Sequence, residues 1–239
     1  MNKSLLNTIQ KIGLKIIVPC ILISLASCLP KEDDIEPAEV AFVSIFHASP
    51  DSPRLDVFTE IRKVSQEPLE YGRGYPYLPF HAGDRHLRFA PLNSANLLLE
   101  TEVKLKKDFV YSMFLVNEQS ELDMLLIEDK WEKPGEDKSK IRLIHLVPDV
   151  ESIELLLEKE ENTLSEELDY LEYTDFSELG SGKYDIKIND PQSGMVLVEA
   201  KGVEIIKGRI ITLLVRGFAN RGSNSNGVSI QLITNTTFN

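Results

Sequence analysis

Residues 43–58 read VSIFHASPDSPRLDVF, and residues 141–156, IRLIHLVPDVESIELL, repeat them in outline. His47, Pro50 and Asp51 fall on His145, Pro148 and Asp149, an offset of 98. Working outward, Leu69-Glu70-Tyr71 finds a counterpart in Leu171-Glu172-Tyr173. HAGDRHLRF around Gly83 aligns with GSGKYDIKI around Gly182. Residues 103–116, VKLKKDFVYSMFLV, match residues 203–216, VEIIKGRIITLLVR, at an offset of 100. An offset that creeps from 98 to 100 is what small loop changes between strands produce. Self-similarity of this kind means copies of one structural unit, here two of about 95 residues each.

Each copy reads as strands. LDVFT, RHLRF, FVYSMFLV, YDIKI, MVLVEA, RIITLLV and VSIQLIT are short, apolar or alternating, and rich in β-branched and aromatic residues. Turn chemistry separates them, as in Ser49-Pro50-Asp51-Ser52-Pro53, Asn189-Asp190-Pro191 and Ser193-Gly194. The expected fold is all-β: two tandem β-sandwiches packed end to end or side by side. Helix is expected only around Thr163 to Leu171. Residues 130–139, charged and broken by Pro134 and Gly135, read as the linker between a first repeat at 41–129 and a second at 140–239. Trp131 in that linker reads as a wedge between the copies.

The segment before the repeats carries an address. Lys3, Lys11 and Lys15 precede an apolar run from Ile16 to Ala26, which is shorter than the roughly 20 residues a spanning helix needs. Leu25-Ala26-Ser27-Cys28 resembles the bacterial lipobox, in which the cysteine is acylated and the chain is cut just before it. Residues 1–27 are thus expected to be a lipoprotein signal peptide, with Cys28 lipidated. Residues 28–40 form an acidic tether, in which Lys31, Glu32, Asp33 and Asp34 resemble the surface-export signal of Bacteroidetes lipoproteins. Cys20 and Cys28 are the two cysteines of the chain, so no disulfide is expected in the folded part. Acyl chains contribute about 0.8 kcal/mol per buried methylene, so a multiply acylated cysteine holds the chain stably on a membrane.

Charge excludes other partners. The 239-residue chain has a formal net charge of −12, and without Lys3, Lys11 and Lys15 it keeps 23 basic against 38 acidic residues, a net of −15. Such a surface repels phosphate backbones, which argues against nucleic acid.

The opening His47-Ala48-Ser49-Pro50-Asp51-Ser52-Pro53, followed by Leu55-Asp56-Val57-Phe58, resembles the signature of the family called domain of unknown function 4397. Tyr71-Gly72, Tyr77-Leu78 and Ala82-Gly83 continue that pattern. The second copy is more worn, with Leu146-Val147 in place of Ala48-Ser49 and Ser152 in place of the second proline. The resemblance implies an immunoglobulin- or transthyretin-like sandwich in secreted or lipid-anchored bacterial proteins, and it implies no reaction.

Several residues invite a functional reading. His47 and His145 each end an apolar strand before a Pro-Asp turn. Their duplication points to bracing of the corner, through the aspartate carboxylate or a turn carbonyl, rather than to catalysis or metal binding. Asp51, Asp56 and Asp149 read as turn caps or solvent-facing groups. His81 and His86 flank Gly83-Asp84 but lack the further ligands a zinc site requires. Tyr71, Tyr75 and Tyr77 in YGRGYPY, with Arg73 beside them, have the composition of a sugar-stacking platform. Tyr71 and Tyr77 belong to the family pattern, which leaves Tyr75 and Arg73 as the candidate ligand contacts. The nine acids between Glu158 and Glu178 lack calcium-loop spacing and read as a solvated face. Residues 218–227 read as a mobile polar hairpin tip. No catalytic residue, metal or cofactor is expected. The expected function is that of a lipid-anchored envelope protein, on the outer membrane and facing outward, acting as a non-catalytic binding or adhesion module for a glycan or an envelope protein. The alternatives are a structural spacer of the envelope or a hydrolase built on a carboxylate pair, and, for location, the periplasmic face of the outer membrane.

Overall fold

In strand β1 (Val40–His47), Ala41, Val43 and Ile45 turn one way and Phe42, Ser44 and Phe46 the other, as a pleated strand requires. The first set enters the core of a sandwich, while Phe46 enters a second apolar layer on the opposite side. The computed structural model describes residues 38–60, 62–130, 132–160, 162–222 and 226–235. The predicted signal peptide, Cys28, the Lys31–Asp34 signal and Trp131 lie outside them. Residues Glu39–Asn239 form one compact unit.

The first copy continues with β2 (Leu55–Thr59), β3 (Arg62–Lys63), β4 (Gly74–His81), β5 (Gly83–Pro91), β6 (Leu99–Leu105), β7 (Val110–Val116) and β8 (Asp123–Glu128). One sheet has the order β4-β1-β7-β8 and the other β3-β2-β5-β6, with β1 and β7 parallel. The second copy holds β9 (Lys138–Leu146), β10 (Ser152–Lys159), β11 (Asn162–Asp169), β12 (Ser177–Gly180), β13 (Gly182–Asn189), β14 (Val196–Ile205), β15 (Ile210–Arg216) and β16 (Ser229–Thr234). Its sheets, β12-β9-β15-β16 and β11-β10-β13-β14, reproduce the first copy strand for strand, including the parallel β9–β15 pair. Each copy closes over its own core, around Val43, Phe89 and Met113 in the first and Leu143, Ile186 and Leu213 in the second.

The repeat is sharper in the backbone than in the side chains. Left-handed residues recur at matching turns: Glu60 and Glu160, Gly72 and Leu171, Gly83 and Gly182, Asp108 and Gly208, Asn117 and Gly217. The Gly72–Leu171 match corrects the register read from the letters. Tyr71 corresponds to Tyr170, and each packs edge-on against its copy's corner histidine, at 6.1 and 5.8 Å. Tyr173, the partner suggested by sequence, is largely exposed.

One further expectation is corrected. Residues 163–169 form most of β11, and 170–171 the turn after it, rather than a helix. Leu164 and Leu168 face the core while Thr163, Ser165 and Glu167 face water, a period of two that outweighs the helix preference of the glutamates. The copies pack side by side, one of the two arrangements expected, rather than end to end. The sheet carrying β1 and β7 lies face to face against the sheet carrying β9 and β15, through Phe46, Phe114, Ile127, Ile144 and Leu214. The continuous apolar runs of β7 and β15 follow from this, because those strands are buried on both faces.

Candidate functional site

The duplicated Pro-Asp corner is a brace in both copies. His47 and His145 are fully buried, and the Nε2 of each donates to a turn carbonyl, of Pro53 at 3.0 Å and of Val150 at 3.1 Å. The Nδ1 of His145 accepts from the amide of Val147 at 3.2 Å, which sets its tautomer. Burial lowers both imidazoles to about 4, aided at His47 by the nearby Arg216 charge, so both are neutral at physiological pH. The aspartates cap the loop after the copy's seventh strand. Asp51 accepts from the Gln119 amide at 2.8 Å, and Asp149 accepts from the amides of Ala219 and Asn220 at 2.9 and 2.8 Å. Asp56, in contrast, is buried and paired with Lys63 at 2.7 Å.

YGRGYPY is divided among three tasks. The Tyr71 ring lies under the guanidinium of Arg216 from the second copy, at 4.2 Å. Tyr75 packs into the first core and donates its hydroxyl to the Glu67 carbonyl at 2.6 Å, so its ring is not the stacking face expected of it. Tyr77 points through the sheet to the seam between the copies. Arg73 is exposed, and its carbonyl accepts from the His47 amide at 2.9 Å. Arg73 also lines a shallow groove with Gly72, Pro76 and Gln231, where the two copies meet.

The seam holds a buried polar network that the sequence reading missed. Arg142 on β9 places Nη1 2.6 Å from Asp129 Oδ1, and its Nη2 donates to Thr212 at 3.0 Å and to Ser112 at 3.3 Å. The other Asp129 oxygen accepts from Tyr77 and Ser112, both at 2.7 Å. Thr212 donates to the Asn235 carbonyl oxygen at 2.9 Å, and the Asn235 amide donates to the Tyr77 hydroxyl at 2.6 Å, which closes the circuit. Burial and the Asp129 charge push the Tyr77 hydroxyl well above its ordinary pKa. Both sides use matching positions. Ser112 and Thr212 correspond, and Asp129 and Asn235 each follow the last strand of a copy and donate their amides to Val110 and Ile210. Phe176, the counterpart of Tyr77, lies against the Arg142 guanidinium at 4.5 Å. A polar residue at one position of both otherwise apolar strands, Ser112 and Thr212, is the signal that would have revealed the seam.

The described parts of the polar tip, residues 218–222 and 226–227, bond to the first copy's Pro-Asp corner. Asn226 donates to the Pro50 carbonyl at 2.6 Å, and Arg221 pairs with Asp51 at 3.3 Å and with Glu118. His86 pairs with Glu100 at 3.0 Å, His81 is exposed on β4, and no cluster of three potential metal ligands occurs among the described residues. No helix among them is long and apolar enough to cross a membrane.

Concave surface is accessible in several places. A cleft of about 610 Å³ opens at the edge of the first sandwich, between residues 59–60 and 62–64 on one side and 78–81 on the other, with Arg85 reaching in from β5.

These features define a class: a tandem pair of β-sandwiches fused through equivalent sheet faces. Two matches to the family described as Domain of unknown function (DUF4397), over residues 41–156 and 139–239, cover the folded unit, and the chain belongs to that family. No curated protein matches the chain. Among solved structures, it is similar to CBMbc (family CBM26) from Eubacterium rectale Amy13K in complex with maltoheptaose, at 14% identity over 82% of this chain and 97% of that one, with a TM-score of 0.25. It is also similar to the fimbrial anchor protein Mfa2 from Porphyromonas gingivalis, at 9% identity over 83% of this chain and 100% of that one, with a TM-score of 0.22.

Proposed function

We propose that this protein is a lipid-anchored envelope protein, tethered through Cys28 and carried to the cell surface by Lys31–Asp34, whose folded unit is a non-catalytic binding or adhesion module for a glycan or an envelope protein. The observation that carries the binding reading is the cleft beside β3 and β4, a concave surface left when the corner histidines, the Pro-Asp aspartates and most of YGRGYPY are committed to bracing. A pocket of this size, with an apolar floor and charged groups around it, suits a small ligand. The buried seam favours a second reading as a spacer, because an apolar layer and a buried ion pair join the two copies directly.

Proteinase K treatment of intact cells, followed by immunoblotting, tests the location. Loss of the protein supports outward display, and survival of full-length protein places it inside the outer membrane. Probing the purified protein against glycan arrays and envelope extracts tests binding. Capture of a defined glycan or envelope protein supports the module reading, and an empty result in both favours the spacer.

A further inference from the structure

The accessible cleft differs in charge from the rest of the chain. Arg85 shares its strand face with Leu87 and Phe89, which are core residues, so its side chain points between the two sheets at their open end. Arg62 lies two residues before Val64, which packs on the same core, and it lines the cleft from β3 of the same sheet. Leu78 and Phe80 on β4 complete an apolar floor.

The carboxylate in this lining, Glu60, is already engaged, by Arg85 at 3.2 Å and by the Thr59 hydroxyl at 2.5 Å. Lys63 is held by Asp56 at 2.7 Å. Arg62 has no carboxylate partner among the described residues, and the Nε of Arg85 is shut off from solvent without a hydrogen-bond partner. Positive charge is therefore concentrated in a concavity of a chain whose net charge is −12. The second copy lacks this arrangement. Tyr184 stands where the first copy has Arg85, with its hydroxyl bonded to Gly180 at 2.8 Å, and the eight-residue β11 stands where the first copy has the two-residue β3.

We infer that this cleft takes an acidic saccharide, one bearing carboxylate or sulfate groups, held by Arg62 and Arg85 over the floor of Val64, Leu78 and Phe80. Guanidinium groups bind such oxyanions in a forked, bidentate geometry, and a concave site of one sign raises the local concentration of the opposite charge. The inference rests on the binding reading above and names the ligand class of that site.

Affinity electrophoresis of the detergent-solubilised full chain, in native gels containing polygalacturonate, dextran sulfate or neutral amylose, tests it. Retardation is expected in a polyanion gel and not in amylose. Arg62→Gln should weaken it about tenfold, Arg85→Gln should weaken it further, and the distant Arg209→Gln should leave it unchanged. Retardation by polygalacturonate alone or by dextran sulfate alone assigns the anion. Equal mobility in all gels, or retardation that survives both cleft substitutions, overturns the inference. Retardation by amylose alone overturns it while leaving the binding reading intact. Arg62 is exposed, so its variant folds and keeps the test decisive even where Arg85→Gln, by unpairing Glu60, lowers stability.

Discussion

Arg142 of the second sandwich and Asp129 of the first meet at 2.6 Å, with side chains 2% and 0% exposed, across the seam that joins the two copies. Removing two charges from water costs several kcal/mol per ion, and the attraction offsets this only where the remaining donors and acceptors are satisfied. Ser112, Thr212 and Tyr77 supply those bonds. The surrounding apolar layer glues the sheets non-directionally, whereas the ion pair accepts one register.

Loss of one partner should therefore cost more than loss of both. Arg142→Met is expected to destabilise the fold by about 3–5 kcal/mol, because Asp129 is left buried and unpaired. Adding Asp129→Asn, which keeps the bonds to Tyr77 and Ser112, should restore a large part of that loss. Urea unfolding of the two single variants and the double gives the coupling directly, and additive losses would refute it.

Stability should fall on mild acidification. His47 and His145 have folded-state pKa values of about 4, below the ordinary 6.5, so both states are neutral above pH 7. As the pH drops below 6.5 the unfolded chain takes up protons that the folded chain refuses, and the loss continues until about 4. Between pH 7.5 and pH 5 each histidine should cost about 2 kcal/mol. His145→Gln should flatten that slope in denaturation curves measured across the range, and a slope identical to the parent's would show that His145 is not its source.

Gly217 is expected to tolerate no side chain. Its φ is +115°, and a Cβ there would lie 2.2 Å from the Gly227 carbonyl oxygen. Gly217→Ala should lower stability by more than about 2 kcal/mol, through backbone strain and a clash with main-chain atoms of Gly227. Asn117, at the same turn of the first copy, has φ +64°, so Asn117→Gly adds no backbone strain, and its cost of about 1 kcal/mol comes from the lost bonds to the Tyr170 hydroxyl and the Glu121 carbonyl. Thermal melts of the pair make the comparison.

The proposed anchor can be tested apart from the fold. Cys28→Ala should abolish incorporation of labelled fatty acid and leave an uncut precursor, and normal labelling would sink the proposal. Replacing Lys31–Asp34 with alanine should leave acylation intact but protect the protein from proteinase K added to intact cells.

The sequence by itself determined the two copies, the strands and the use of the corner histidines. These depend on local alternation, turn residues and duplicated motifs, and all three are written in the order of the letters. The strand over 162–169 shows the limit of that reading, since its glutamates favour helix and only the partner β10 makes the period of two decisive. Tertiary structure alone decided what the outer sheet faces do. Ser112, Tyr77, Asp129, Arg142, Thr212 and Asn235 are scattered over more than 150 positions and become one network only when equivalent faces of the two copies meet. It likewise took Tyr75 out of the candidate ligand contacts, by burying its ring, and brought Arg62 and Arg85 together. A side chain's partners across a sheet or a seam are set by which faces are covered, and that is a property of packing rather than of spacing along the chain.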